Sequence, residues 1–288
     1  MKPQSKLTGI LQILLGAAFF GLIPIFIRFG QNITTSSLVF FRAFFGAIFI
    51  FLIIKLSGKS LAKFKEERGK LIAWAVILLL AIGSYFIALK LIDIASAVLL
   101  LYSQSIFIIL LSRLWLKEKI HTHTLIALIL SIIGVILILY PTGFKFGGNS
   151  IGYIFGLSAA FWTSLNFMLP KIYFNKYDTY SLTFYQNLWQ LPMLAAFVLF
   201  SPPSLTQTNI EIFAGLGLFC TALAFLLIYT GSRKVPGQYI GILQTTEAIV
   251  PIILSAIIFS EMPSSIVVIG GILLIAGYLS IALKEFKK

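Results

Sequence analysis

The chain has 288 residues, of which 59% are hydrophobic and 11% charged, with a formal net charge of +13 and a mean hydropathy of +1.01. Soluble domains carry about a quarter charged residues, so this composition excludes a water-soluble protein and points to an integral membrane one. The Lys/Arg excess then reads as loop placement rather than a nucleic-acid footprint, and the single Cys220 excludes an intrachain disulfide.

Ten apolar segments are predicted as spanning α-helices, near 7–29, 36–55, 70–89, 94–116, 123–140, 150–170, 180–200, 210–231, 238–260 and 264–283. Each is close to the ~20 residues that a ~30 Å hydrocarbon slab requires, which favours helices over the ~10-residue strands of a barrel. The first follows Lys6 with no A-x-A-like cleavage site and reads as a retained helix rather than a signal peptide. Connections are short except for Lys55–Lys70, a charged stretch with room for a small amphipathic surface helix.

Basic residues set the orientation. Of the 22 Lys and Arg, only Arg28, Lys90 and Lys145 fall on one side and Arg42 within a span. The others collect in alternate loops and at both ends, which predicts both termini in the cytoplasm and, for a bacterial-type cell, residence in the inner membrane.

The chain also repeats. Leu15-Gly16-Ala17-Ala18-Phe19-Phe20 resembles Leu157-Ser158-Ala159-Ala160-Phe161-Trp162. Further on, Ala88 and Gly231, Gln104 and Glu247, Glu118 and Glu261, and Gly134 and Gly277 share one offset of 143 residues. The expected architecture is all-α: two five-helix repeats, residues 1–145 and 146–288, in one membrane domain. An odd number of helices per unit forces the two halves into opposite orientation, a signature of secondary transporters with a midplane site between the repeats.

That site is expected around Glu247. About nine residues into its helix, it lies roughly 14 Å deep, where an ionisable group costs at least ~2.5 kcal/mol and should face protein or water. Gly241, Gln244, Glu247 and Pro251 follow helical spacing and read as one cavity-lining stripe, the alternative being a neutral or paired Glu247 that ties helices together without touching solute. Tyr102 and Gln104 on the fourth helix recur at the same level. Trp162 and Asn166, four residues apart, and Gln186 and Trp189 within Tyr185–Gln190 would complete a polar–aromatic pocket; the alternative for these amides is helix–helix hydrogen bonding. Arg42, about 10 Å deep, reads as structural, with a pair to Glu247 as the alternative. Glu118 and Glu261 at helix ends read as solvated interface charges, with gate partners as the alternative. His121 and His123 are loop residues without metal-ligand spacing, and no metal or cofactor is expected.

The ten spans in two repeats, with Trp115-Leu116-Lys117-Glu118 and Ile258-Phe259-Ser260-Glu261 closing the fourth helix of each, resemble the drug/metabolite transporter superfamily, EamA type. The family's acidic pair fourteen residues apart is matched by Glu247 and Glu261, Arg42 matches an arginine of its second helix, and Gly134 and Gly277 match its closing-helix glycines. Ala248 stands where the family has proline, with Pro251 three residues later, so the helix break is expected to be displaced. The resemblance implies a carrier, not an enzyme, for a small organic metabolite such as an amino acid, amine or nucleoside-like solute, working by alternating access. A proton is a candidate co-substrate, and the assembly is a monomer or homodimer. The alternative is an intramembrane enzyme or channel acting on a small or lipid-linked substrate, which two or more gathered acids or a continuous polar stripe would favour.

Overall fold

The computed structural model describes residues 3–30, 33–62, 67–92, 94–140, 150–200, 205–260 and 262–286. Among these the protein is all-helical. Nine helical stretches are long and apolar enough to cross a membrane: Ser5–Phe29, Ser36–Leu56, Arg68–Leu91, Ser96–Trp115, Thr122–Leu139, Ser150–Ile172, Gln207–Ser232, Gly237–Phe259 and Ser265–Leu283. Helix Thr179–Phe200 is as long as these, but Gln186, Asn187 and Gln190 dilute its apolar character. It nevertheless packs inside the bundle, against Thr35–Leu56 and Arg68–Leu91.

Several of the long helices are interrupted. The first consists of α1 (Pro3–Phe20) and α2 (Ile23–Phe29), and two uninterrupted helices follow, α3 (Thr35–Leu56) and α4 (Arg68–Leu91). The fourth divides into α5 (Ile94–Tyr102) and α6 (Gln104–Trp115), followed by α7 (Thr122–Leu139), α8 (Ser150–Ile172) and α9 (Thr179–Phe200). Next, α10 (Gln207–Gly217) runs through a π-helical segment, Leu218–Leu223, into α11 (Ala224–Ser232). Then α12 (Gly237–Gln244) passes through a 3-10 turn, Thr245–Ala248, into α13 (Ile249–Phe259), and α14 (Ser265–Phe286) closes the chain. No separate surface helix is seen in the described part of 55–70, where α3 ends at Leu56, turn and coil follow and α4 begins at Arg68; 63–66 lie outside the described residues.

The main packing pairs are α7 with α14, α3 with α9, α6 with α12, α4 with α8, and α1 with α11. Close approach at the first of these is set by glycine: a Cβ on Gly134 would stand 2.7 Å from the Gly270 carbonyl oxygen, and one on Gly270 2.6 Å from that of Gly134. Small residues let helix backbones approach where lipid provides no hydrophobic drive for association.

The two halves of the broken α12–α13 helix differ sharply. Every residue of α12 is buried, whereas no residue of α13 is. Segment α12 is packed by α1, α6, α7, α8 and α14, while α13 rests mainly on α2, with the Phe29 and Phe259 rings 5.5 Å apart. On the partner helix, α6 packs against α12 and α8, but α5 turns to α8, α7 and α4. The two broken helices therefore meet at one end of the bundle and diverge at the other.

Candidate functional site

The divergence begins where both helices break. Ser103, the residue between α5 and α6, donates its hydroxyl to the Leu100 carbonyl at 2.5 Å. Its counterpart at the 143-residue offset, Thr246, donates to Leu243 at 2.7 Å, and Thr245 to Ile242 at 2.7 Å. In each helix a hydroxyl engages the carbonyl three residues back and so competes with the regular helical ladder. The break sits at Thr245–Ala248 itself, not at Pro251: that proline lies in the first turn of α13, where its missing N–H costs nothing.

Glu247 is carried by the 3-10 turn and is half-buried. Its hydrogen-bonding neighbour is the Tyr102 hydroxyl at the end of α5. Tyr85 of α4 and Tyr278 of α14 stand close enough to interact with its charge, and Tyr278 shares a 3.0 Å hydrogen bond with Thr245. Among the described residues no basic side chain pairs with Glu247. Gln104 and Gln244 are 3% and 1% exposed, yet the Gln104 Oε1 and both polar atoms of the Gln244 amide have no hydrogen-bond partner among the described residues. Burying such groups unpaired costs about 1–3 kcal/mol each.

The structure thus gathers Tyr102 with Glu247 and leaves Gln104 and Gln244 unpaired at the same two helix breaks. Gly241 does not share a cavity wall with them: the 3-10 turn ends the α-helical spacing, and a Cβ on Gly241 would stand 2.7 Å from the Ser105 Cα, so it serves the α6–α12 approach.

Asn166 and Gln186 form a separate, closed network. The Gln186 Nε2 donates to Asn166 Oδ1 at 2.6 Å, and the Tyr229 hydroxyl donates to Gln186 Oε1 at 2.7 Å. The Asn166 Nδ2 reaches the Tyr229 hydroxyl at 3.4 Å, while Trp74 Nε1 donates to the Asn166 carbonyl at 3.0 Å. All four side chains are buried. Asn187 and Gln190 donate to carbonyls four residues back in their own helix. Trp162 and Trp189 are half-buried against the core. Arg42, also half-buried, has Cys220 and Tyr229 as its electrostatic neighbours and makes no pair with Glu247. Tyr85, Tyr278, Tyr229 and Trp74 escaped the sequence reading, because none occupies a repeat-related polar position.

Glu118 is not a solvated charge. Its carboxylate caps the start of α12, accepting from the Gly237 N–H at 2.8 Å and the Gln238 N–H at 3.2 Å, and lies 3.7 Å from Lys171. A negative group at this end of a helix meets its free N–H groups and the positive pole of its dipole. Around this clasp Lys171 donates to the Val235 carbonyl, Gln238 to Lys119 at 3.1 Å, and Arg233 to Phe174 at 3.0 Å. His123, placed in a loop by its sequence, lies in the first turn of α7 and hydrogen-bonds the Tyr239 hydroxyl at 2.8 Å. Glu261 lies outside the described residues.

Nearby, Glu67 pairs with Lys176 at 3.2 Å and Lys70 at 3.6 Å. A hydrogen bond from Tyr177, reinforced by Lys176, holds its carboxyl below the usual range. Among the described residues no three His, Cys, Asp or Glu side chains gather as a metal site.

The EamA-like transporter family matches the chain twice, over residues 7–140 and 150–283. An uncharacterized transporter of Archaeoglobus fulgidus is 30% identical over 272 residues, covering 94% of this chain and 95% of that protein. The pseudopaline exporter CntI of Pseudomonas aeruginosa is 24% identical over 291 residues, covering 98% and 97%. A protein of known crystal structure superimposes with a TM-score of 0.84 at 18% identity, covering 100% of this chain and 99% of its own, which speaks for the fold alone.

Proposed function

Because the chain belongs to the EamA-like transporter family, a family of multi-pass membrane transport proteins, we propose that it is a secondary carrier of a small organic solute, working by alternating access in the inner membrane. Its ten spans form two inverted repeats, residues 1–145 and 146–288, in agreement with the two family matches. The packing supports this. Helices α7 and α14, and α3 and α9, pair each with its own counterpart, while the α4–α8 contact becomes the α11–α1 contact when the repeats are exchanged. The basic loops put both termini and the Glu118 clasp in the cytoplasm. In this reading the cytoplasmic end is the one held shut, where α6 meets α12, and the other end, where α5 and α13 part, is the one that opens.

The observation that carries the reading is the coincidence of both helix breaks with a carboxylate that has no basic partner among the described residues and with buried amide atoms of Gln104 and Gln244 that make no hydrogen bond there. A polar group in the bilayer without a protein partner marks a solute pathway more often than a structural joint. Glu247 receives a cationic or amino group of the solute, or exchanges a proton, while Tyr102, Gln104 and Gln244 hold its polar atoms. Trp162 and Trp189 line the approach, and Asn166 and Gln186 stiffen the opposite wall. Arg42 and Pro251 hold their helices, and Glu118 and Glu261 gate the two ends. A relative named as an exporter supports a small organic cargo.

Proteoliposomes incubated with a mixture of amino acids, amines and nucleosides, then read by mass spectrometry of their contents, test the proposal. Wild-type vesicles should accumulate at least one solute, saturably, and Glu247→Gln vesicles should not. Equal contents in the two would refute the role of Glu247.

A further inference from the structure

Arg42 of α3 is a second charged group inside the bundle. It lies about 10 Å below the outer end of its helix, roughly half a turn away from Phe44 and Phe51, which are exposed on the outer flank. The two groups that act on its charge, Cys220 and Tyr229, are wholly buried, so the side chain points into the protein. It is nevertheless only half-buried, and its nitrogens, unlike the Nε of Arg233, are not shut away from open space.

An arginine that only holds its helix ends on a partner. Arg233 donates to the Phe174 carbonyl at 3.0 Å, and Arg28 lies 3.9 Å over the Phe259 ring. Among the described residues the Arg42 guanidinium has no hydrogen bond, ion pair or ring contact. Its two neighbours have committed their own protons elsewhere: Cys220 donates its thiol to the Phe19 carbonyl at 3.1 Å, and Tyr229 its hydroxyl to Gln186 Oε1 at 2.7 Å. The segment that carries Cys220, Leu218–Leu223, is π-helical, a rare distortion that recurs at functional sites. A cation without a partner in a membrane span is costly and marks an ion or solute pathway.

We propose that Arg42 is an anion site on the path of the solute and that it takes a carboxylate of the transported molecule. The inference rests on the carrier reading but not on Glu247, and it narrows the cargo to solutes that bear a carboxylate. The planar fork of a guanidinium matches both oxygens of that group. Its single positive charge, with no second cation acting on it, balances one carboxylate, whereas a phosphate monoester brings close to two negative charges.

The test offers proteoliposomes one mixture of amino acids and monocarboxylates, each at equal concentration with its own carboxamide, and reads the contents by mass spectrometry. Wild type should hold at least one acid in about tenfold excess over its carboxamide, the preference expected of a charge-assisted pair. Arg42→Gln, in protein that elutes as folded, should bring that ratio close to one. Arg42→Lys keeps the charge without the fork and should lower the ratio at least about threefold, which decides the matter if the glutamine variant does not fold. A merely structural arginine would lower acid and carboxamide together and leave the ratio unchanged, overturning the inference. Wild type that accumulates carboxamides as readily as acids, or no acid at all, would overturn it too. Accumulation that depends on Glu247 without any preference for acids would leave the Glu247 reading standing while this one falls. An Arg42-dependent preference with equal contents in Glu247→Gln vesicles would do the reverse.

Discussion

Glu118→Gln should loosen the closed end of the bundle. In the wild type one carboxylate accepts two backbone N–H groups at the start of α12 and faces Lys171 at 3.7 Å. Glutamine keeps one acceptor oxygen, loses the other and removes the charge. A hydrogen bond to a charged group contributes about 1.5–3 kcal/mol against ~1 for a neutral one. The Lys171 pair, partly exposed on both sides, adds only a few tenths. The closed arrangement should lose about 2 kcal/mol, a roughly thirtyfold shift towards opening at that end. Ser112, fully buried on α6, has its Cβ 3.1 Å from the position a Cβ on Gly237 would take. A cysteine placed there in a Cys220→Ser background reports the opening. Its reaction with an impermeant maleimide from the cytoplasmic face should be slow with Glu118 intact and at least tenfold faster once Glu118→Gln is added. Equal rates, in protein that elutes as folded, would show that the clasp does not hold this end shut.

Three further outcomes follow from packing and charge. Gly134→Val should lower thermal stability by about 1–3 kcal/mol through overpacking against Gly270, whereas Gly271→Ala, which adds a methyl to open space, should be near neutral; equal melting temperatures for the two would contradict the α7–α14 approach. Tyr229→Phe removes the donor to Gln186 Oε1 and should cost about 1–3 kcal/mol of stability, with the solute concentration for half-saturation unchanged; a shifted half-saturation would place this network in the binding site. Glu67 has a depressed folded-state pKa, so its stabilisation is present above the unfolded value near 4.3 and lost as pH falls through the folded value. The melting difference between wild type and Glu67→Gln should therefore be constant from pH 8 to 6 and shrink in acid; a difference that widens below pH 5 would reverse the sign.

Much of this organisation is legible in the residues. Composition indicates a membrane-spanning helical bundle, and the 143-residue offset relates Ser103 to Thr246, the residues at which the two broken helices turn. Other features are lost to a linear reading for identifiable reasons. Helical spacing placed Gly241 beside Glu247, but the hydroxyls of Thr245 and Thr246 engage carbonyls three residues back and turn the chain between them. Polarity alone grouped Gln186 and Asn166 with Glu247, because a sequence counts polar groups without showing which of them satisfy one another. The same blindness explains helix Thr179–Phe200. Its amides depress its hydropathy as though each faced lipid, yet Gln186 is closed off by Asn166 and Tyr229, and Asn187 and Gln190 by their own helix. Within a bilayer the informative distinction is therefore between polar groups that have found partners and those that have not. The first hold α8, α9 and α11 together as a wall. The second, the Gln104 and Gln244 carboxamides, lie at the two helix breaks beside Glu247, where α6 and α12 cease to pack.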